Sequence, residues 1–252
     1  CNSGIGLEVL KLLAKGKNRI LCVDKNINNL DQFDQRYIIP MQADVSKKES
    51  VDLIFETALK KLGSIDIFYA NAGFPYYEEM NYVDWDRIAR IFETNVFSPI
   101  YSYQKYVDYL AGRKGTFAIT VSAIGTMAMP GYTLYSASKF AMNGFQEGIR
   151  LEKPANVQLT CLYPVATATN FFKTANAIKF KKPFPVQKAD VVARKMVEGL
   201  EKGKDTVSPS LLFGFAKQLM KFVPPVRTLY WAMETKKFED FKLKVKEINS
   251  KK

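Results

Sequence analysis

The chain has 252 residues, 47% of them apolar and 25% charged, with 37 Lys and Arg against 25 Asp and Glu for a net charge of +12. That balance is globular, and the length suits one α/β domain. There is no histidine, which excludes Ser-His-Asp and Cys-His nucleophile systems and His-ligated metal centres; no metal site is expected, and acid–base work near neutral pH falls to carboxylate, Lys, Tyr or Cys.

Cys1, Cys22 and Cys161 lie far apart with no CxxC pair, which argues against a disulfide framework and points to a reducing, cytoplasmic setting. No apolar run approaches the roughly 18–20 residues of a membrane span, and no charged-then-apolar leader opens the chain. Basic residues are mostly dispersed. The densest stretch is Lys236 to Lys252, with seven Lys against Glu239, Asp240 and Glu247. It reads either as a solvated helix face or as attraction to an anionic partner: cofactor phosphates, a lipid surface or nucleic acid. No nucleic-acid recognition motif accompanies it.

In chain order, Asn2-Ser3-Gly4-Ile5-Gly6 runs straight into a helix over Ile5–Ala14, whose Leu7, Leu10, Leu13 and Ala14 share an apolar face. Glycines at a strand-to-helix turn admit a pyrophosphate to the backbone and to the helix N-terminus, though SGIG is also an ordinary turn. A strand over Arg19–Val23 ends at Asp24, about twenty residues on, where a carboxylate can bond an adenosine ribose and repel a 2′-phosphate. Lys25 follows and blurs that preference, since a cation there tolerates a phosphate. A strand over Tyr37–Ala43 ends at Asp44-Val45. After a helix over Lys48–Leu62, a strand over Ile65–Tyr69 leads to Asn71-Ala72-Gly73. Strand C-termini are where open α/β sheets bind ligands; both segments also read as plain turns.

A long helix is expected over Asp84–Leu110, a strand over Gly115–Ser122 and a helix over Tyr135–Leu151. Tyr-x-x-x-Lys occurs twice, at Tyr101/Lys105 and Tyr135/Lys139. Only the second follows a strand-end Ser, Ser122, thirteen residues earlier. Spacing of four puts Tyr135 and Lys139 on one helix face, where an ammonium is expected to lower the phenol pKa and make Tyr a usable acid or base. The Tyr101 pair reads as surface or core packing. A strand over Val157–Tyr163, a flexible segment over 166–188, a helix over Ala189–Lys202 and a short strand at Thr206–Val207 follow. Two helices, Leu211–Lys221 and Val226–Glu247, are expected on either side of Pro224-Pro225. They form an appendage packed on the sheet edge, on a subunit partner or over a pocket.

The alternation implies right-handed crossovers and a three-layer, doubly wound parallel sheet, one domain over 1–252 with a helical extension from 210. Because the chain opens on the glycine turn, one central strand is expected to lie ahead of it.

Taken together, residues 1–6, Asp24, Asp44-Val45, Asn71-Ala72-Gly73, Asn95 in Thr94-Asn95-Val96, Ser122, Tyr135-Ser-Ala-Ser-Lys139 and Tyr163-Pro164 resemble the short-chain dehydrogenase/reductase family, to about residue 209. The resemblance implies a Rossmann fold and a ketone–alcohol oxidoreductase using NAD, or NADP if Lys25 meets the phosphate. It implies Tyr135 as proton donor or acceptor and Ser122 as the group orienting the substrate oxygen. Lys139 would hold the nicotinamide ribose and tune Tyr135, and Asn95 would position a relay water. It also implies cofactor contacts from Ser3, Gly4, Ile5, Gly6, Asp24, Lys25, Asp44, Val45, Asn71, Ala72, Gly73, Pro164, Val165, Thr167 and Thr169. Val165 departs from the family's usual Gly. The family's motif normally begins with Thr-Gly ahead of Cys1, and dimers or tetramers are common in it.

Phe74, Tyr76, Tyr77, Met127, Met129, Phe171, Phe172, Phe180 and Phe184 flank these motifs. They either line an apolar pocket, suiting a hydrophobic ketone or alcohol, or cap the core. The alternative function is a non-catalytic NAD(P)-binding regulatory protein on the same fold.

Overall fold

The computed structural model describes residues 1–250. Along the chain it places α1 (Gly4–Ala14), β1 (Ile20–Asp24), β2 (Ile38–Gln42), α2 (Lys48–Leu62), β3 (Ile67–Ala70), α3 (Trp85–Phe92), α4 (Ser98–Leu110), β4 (Gly115–Thr120), α5 (Thr133–Glu152) and β5 (Val157–Leu162). It continues with β6 (Ala166–Ala168), α6 (Phe171–Ala175), β7 (Val186–Lys188), α7 (Ala189–Glu201), β8 (Thr206–Val207), α8 (Leu211–Phe222) and α9 (Pro224–Asn249).

All pairings are parallel. β1 pairs with β2, and β3, β4, β5 and β8 form a second ladder in that order. No ladder joins β1 to β3 among the described residues. Pro40, which cannot donate to a ladder, sits in β2 at the edge of its pair.

Alternation along β4 and β5 distributes the core to two faces. Phe117, Ile119, Val157, Leu159 and Cys161 pack under α2, α4 and α5, with Val51, Phe55, Tyr106 and Met142. Ala118 and Leu162 face the other way, against Val9 of α1 and Val192, Ala193 and Met196 of α7. A parallel sheet covered on both faces follows, as right-handed crossovers require.

Three expectations are corrected. The continuous helix over Asp84–Leu110 is interrupted by a π segment, Glu93–Phe97, between α3 and α4. Pro99 has no N–H for the Asn95 carbonyl four residues earlier, so the α register cannot run through; Ser98 N bonds Glu93 O instead. The flexible segment over 166–188 is held by the β6–β7 pair and by α6. Pro224 and Pro225 do not separate the last helices; they form the first turn of α9, where no N–H is required.

Of the placements open to the C-terminal appendage, the structure adopts the one over the pocket. Phe241 of α9 is buried and meets Tyr77 at 4.8 Å between ring centroids, and Tyr77 stacks on Phe180 at 4.1 Å. The Tyr230 hydroxyl donates to Phe184 O at 2.7 Å and Trp231 Nε1 to Ala128 O at 3.0 Å. Lys244 Nζ reaches Lys179 O at 3.1 Å, so part of the basic tail fastens the 176–185 segment.

Phe117 is fully buried, stacked on Phe68 at 5.4 Å and edge-on to Tyr103 at 5.3 Å. Phe117→Ala is expected to cost about 3–5 kcal/mol through lost burial and a cavity. Urea unfolding followed by circular dichroism should show a lower midpoint with an unchanged slope.

Candidate active site

The C-terminal ends of β1, β3, β4 and β5 open on one cleft. Ser3, Gly4, Ile5, Gly6, Asp24, Lys25, Val45, Asn71, Ala72, Gly73, Ser122, Tyr135, Lys139, Pro164, Val165, Thr167 and Thr169 all line it. Asp44 and Asn95 do not. Asp44 forms an ion pair with Lys25 at 2.9 Å and accepts from Ser46 N at 3.0 Å.

At the glycine turn, Ser3 is extended and its hydroxyl caps nothing, leaving the first N–H groups of α1 free for a ligand. Gly4 has φ +58°, a conformation that disfavours any side chain. A Cβ at Gly6 would lie 2.8 Å from Asn71 Nδ2, so the turn packs tightly on the β3 end. Thr169 faces Gly4 across the cleft, with its Cγ2 where it would touch a Cβ at 3.5 Å. Bare N–H groups, a helix dipole and a floor without side chains fit a dinucleotide pyrophosphate. Asp24 Oδ2 accepts from the backbone nitrogens of Cys1 at 2.8 Å and Asn2 at 2.9 Å, which bolts the turn to β1. Asn2, the first residue of the motif, accepts through its side chain from Asn29 N at 2.8 Å and so ties the loop after β1 to the glycine turn.

Asn95 is buried in the π segment. Its Oδ1 accepts from Phe74 N at 3.1 Å, and its Nδ2 donates to Phe74 O at 3.0 Å and to Ser138 Oγ at 3.1 Å. The amide is therefore occupied in fixing the chain after Gly73 to α5. Thr120 was not singled out by sequence reasoning. Its carbonyl accepts from Lys139 Nζ at 2.9 Å, and its hydroxyl bonds Asn71 Oδ1 at 2.9 Å and Tyr69 Oη at 2.7 Å. Its position, at the end of β4 and two residues before Ser122, was the available signal. For Ser138 the signal was its place between Tyr135 and Lys139.

Ser122 has φ +141°, a strained value for a residue with a side chain, and caps the short turn over Ala123–Gly125. Its hydroxyl makes only long contacts, 3.3 Å from Ile124 N and 3.4 Å to Pro164 O. Pro164 O also accepts from Ala123 N at 2.9 Å, so the Tyr163-Pro164 turn supports the Ser122 loop. Thr167 Oγ1 donates to Val165 O at 2.9 Å, closing the turn at the position where Val165 stands.

The expected effect of Lys139 on Tyr135 is overturned. Burial pushes the Tyr135 phenol well above its usual range, and the neighbouring Ser122 hydroxyl only partly opposes this. Burial likewise brings Lys139 down from 10.5 to about 8. The ammonium sits 5.8 Å from the Tyr135 ring centre, and its bond goes to the Thr120 carbonyl. Loss of hydration at both groups outweighs their attraction. Tyr135 is accordingly protonated at neutral pH. The other Tyr-x-x-x-Lys pair is structural: Tyr101 Oη and Lys105 Nζ both bond Asp52 Oδ1, at 2.7 and 2.5 Å, tying α4 to α2.

The family pattern described as short chain dehydrogenase matches residues 1–179. The 3-dehydrosphinganine reductase of Danio rerio is 28% identical over 173 residues, 68% of this chain and 52% of that protein. The 3-ketodihydrosphingosine reductase of Bos taurus is 27% identical over 203 residues, 77% of this chain and 61% of that protein. The chain thus matches about half to three-fifths of the length of these two. An NADPH-dependent 1-acyldihydroxyacetone phosphate reductase of Saccharomyces cerevisiae is 27% identical, covering 96% of this chain and 89% of its own length. Among solved structures, a short-chain dehydrogenase of Sphingobium yanoikuyae in complex with NADPH superposes with a TM-score of 0.76 at 19% identity, covering 89% of this chain and 91% of that one. These structures share the fold.

A buried ammonium has a sign that stability can report. Below pH about 8 the folded chain must carry the charge on Lys139, whereas the unfolded chain holds its proton up to 10.5. Between these values the unfolded state binds more protons, so stability rises with pH. Lys139→Met removes the penalty. At pH 7 it is expected to be more stable by about 2 kcal/mol after the lost Thr120 bond is deducted. Thermal melts from pH 7 to 10.5 should show the two proteins converging.

Proposed function

This chain belongs to the short-chain dehydrogenase family, and on that premise we propose that it interconverts an apolar ketone and its secondary alcohol with a nicotinamide dinucleotide. The observation that carries this reading is the meeting of Ser122, Tyr135 and Lys139 in the cleft that the uncapped, glycine-floored N-terminus of α1 also faces.

A nicotinamide cofactor, when bound, supplies or accepts the hydride at the substrate carbon. Ser3, Gly4, Ile5 and Gly6 would hold its pyrophosphate, with Asp24, Val45 and the Asn71–Gly73 turn along the adenosine side and Val165, Thr167 and Thr169 toward the nicotinamide. The Ser122 hydroxyl, held by long bonds only, is free to donate to the substrate oxygen and orient it. Tyr135 is buried and protonated, and in reduction its phenolic proton passes to that oxygen. The negative charge then left on the phenolate is opposed by the Lys139 ammonium at the next turn of α5. In oxidation the same proton returns to Tyr135. Asn95 acts through the backbone it clamps, keeping the turn after Gly73 and the Ser138 side of α5 in register.

The preferred cofactor is NAD. Asp24 stands at the ribose end of β1, and the nearest cation, Lys25, is already paired with Asp44. A 2′-phosphate would meet the Asp24 charge. Buried Tyr76, Tyr77, Met129 and Tyr132, with Phe171, Phe172 and Phe180, surround Tyr135, and this wall supports a hydrophobic substrate. Relatives named for reducing 3-ketodihydrosphingosine and 1-acyldihydroxyacetone phosphate point in the same direction. We infer self-association through the outer sides of the π segment and α5, where Phe97 and Phe140 are exposed.

Turnover of NAD(H) and NADP(H) against a panel of ketones tests the reading. Tyr135→Phe is expected to lower kcat at least about a hundredfold, the scale of a lost general acid, with cofactor binding by fluorescence titration unchanged. Full activity in that variant overturns the mechanism. Asp24→Asn should raise the kcat/KM ratio of NADP over NAD by roughly tenfold, as expected for removing a like charge. An unchanged ratio removes Asp24 from cofactor choice.

A further inference from the structure

α8 buries none of its side chains. Phe213, Ala216 and Met220, on one side, are half-buried, and Phe213 lines the cleft. Leu211, Leu212, Phe215, Leu219 and Phe222 recur at three-, four- and seven-residue spacing and form an arc of about 100° on the outer side. Leu211, Phe215 and Phe222 are 87%, 70% and 77% exposed. A helix on a protein surface normally presents polar residues to water, and this one presents its most apolar arc. The exposed apolar side chains continue beyond it, at Val223 and at Leu229 and Met233 of α9.

Charge accompanies this surface. Between Asp205 and Glu234 there is no acidic residue, while Lys217, Lys221 and Arg227 fall within the stretch. Lys217 and Lys221 lie on the side of the helical wheel away from the apolar arc, as in helices that lie in a lipid interface with their cations on the polar face. Among the described residues no helix is long and apolar enough to cross a membrane, so contact with lipid would lie in the plane of the surface.

We propose that α8, with the first turns of α9, docks on an anionic lipid surface. Docked in this way, α8 sets the rim of the cleft, where Phe213, Phe184 and Tyr230 stand, against the layer from which an apolar ketone would enter. The substrate route rests on the functional reading above; the docking does not.

The full chain, sedimented with phosphatidylcholine vesicles and with vesicles carrying about a third phosphatidylserine, is expected to partition onto the second kind and to be released by salt. Phe215→Glu/Phe222→Glu should lower that partition by at least roughly tenfold. Its melting temperature and its turnover of a water-soluble ketone should match the parent. Lys217→Glu/Lys221→Glu should remove the preference for phosphatidylserine. Docking is overturned if the parent binds neither vesicle at low salt, or if Phe215→Glu/Phe222→Glu binds as the parent does. It is equally overturned if light scattering shows that variant splitting an oligomer while the parent ignores lipid, which assigns the face to a second copy. Absence of ketone turnover in every protein would sink the functional reading and leave the vesicle result standing.

Discussion

The Asn95 side chain makes three hydrogen bonds to two neighbours, both backbone groups of Phe74 and the hydroxyl of Ser138. Through it the turn that ends β3, the π segment and the helix carrying Tyr135 and Lys139 become one rigid unit. Such an amide, buried with its partners matched, costs little to hold and much to disturb. Its placement follows from Pro99, which denies the α register its donor and swings Asn95 inward. A local defect in helix bonding thus sets the geometry of the cleft floor.

On that floor the protein keeps a group that works against its own stability. Lys139 is buried with the Thr120 carbonyl as its hydrogen-bond partner, and burial has drawn its pKa toward neutrality. Tyr135 is desolvated in the same place, and Ser122 is held at a strained φ. These features all raise the free energy of the folded chain, and they meet at the residues proposed to handle the proton. Desolvation keeps Tyr135 protonated.

The C-terminal helices divide their roles by face. Phe238 and Phe241 of α9 close an aromatic cluster over Tyr77 and Phe180, and Lys244 fastens the segment beneath. α8 contributes Phe213 to the cleft and leaves its other side apolar and unburied. Lys244 of α9 thus bonds a carbonyl within the fold, while the lysines of α8 lie across that helix from an exposed apolar surface.

The order of strands and helices was legible in the sequence because alternation with period two and spacing of three to four report burial directly. The glycine turn, Asp24, Ser122, Tyr135 and Lys139 were legible because each needs a particular residue type at a fixed place along a strand or helix. What lay outside the sequence was every property set by residues distant along the chain. The pKa of Tyr135 depended on whether Lys139 or burial dominated, and only packing could decide that burial did. The role of Asn95 depended on Phe74 and Ser138, 21 and 43 residues away. The C-terminal helices were visible as helices, but which face they bury depended on an aromatic cluster assembled from four separate parts of the chain. Local pattern fixes the elements because it acts through backbone and neighbouring side chains; desolvation and hydrogen-bond partnership act through space, and so belong to the tertiary structure.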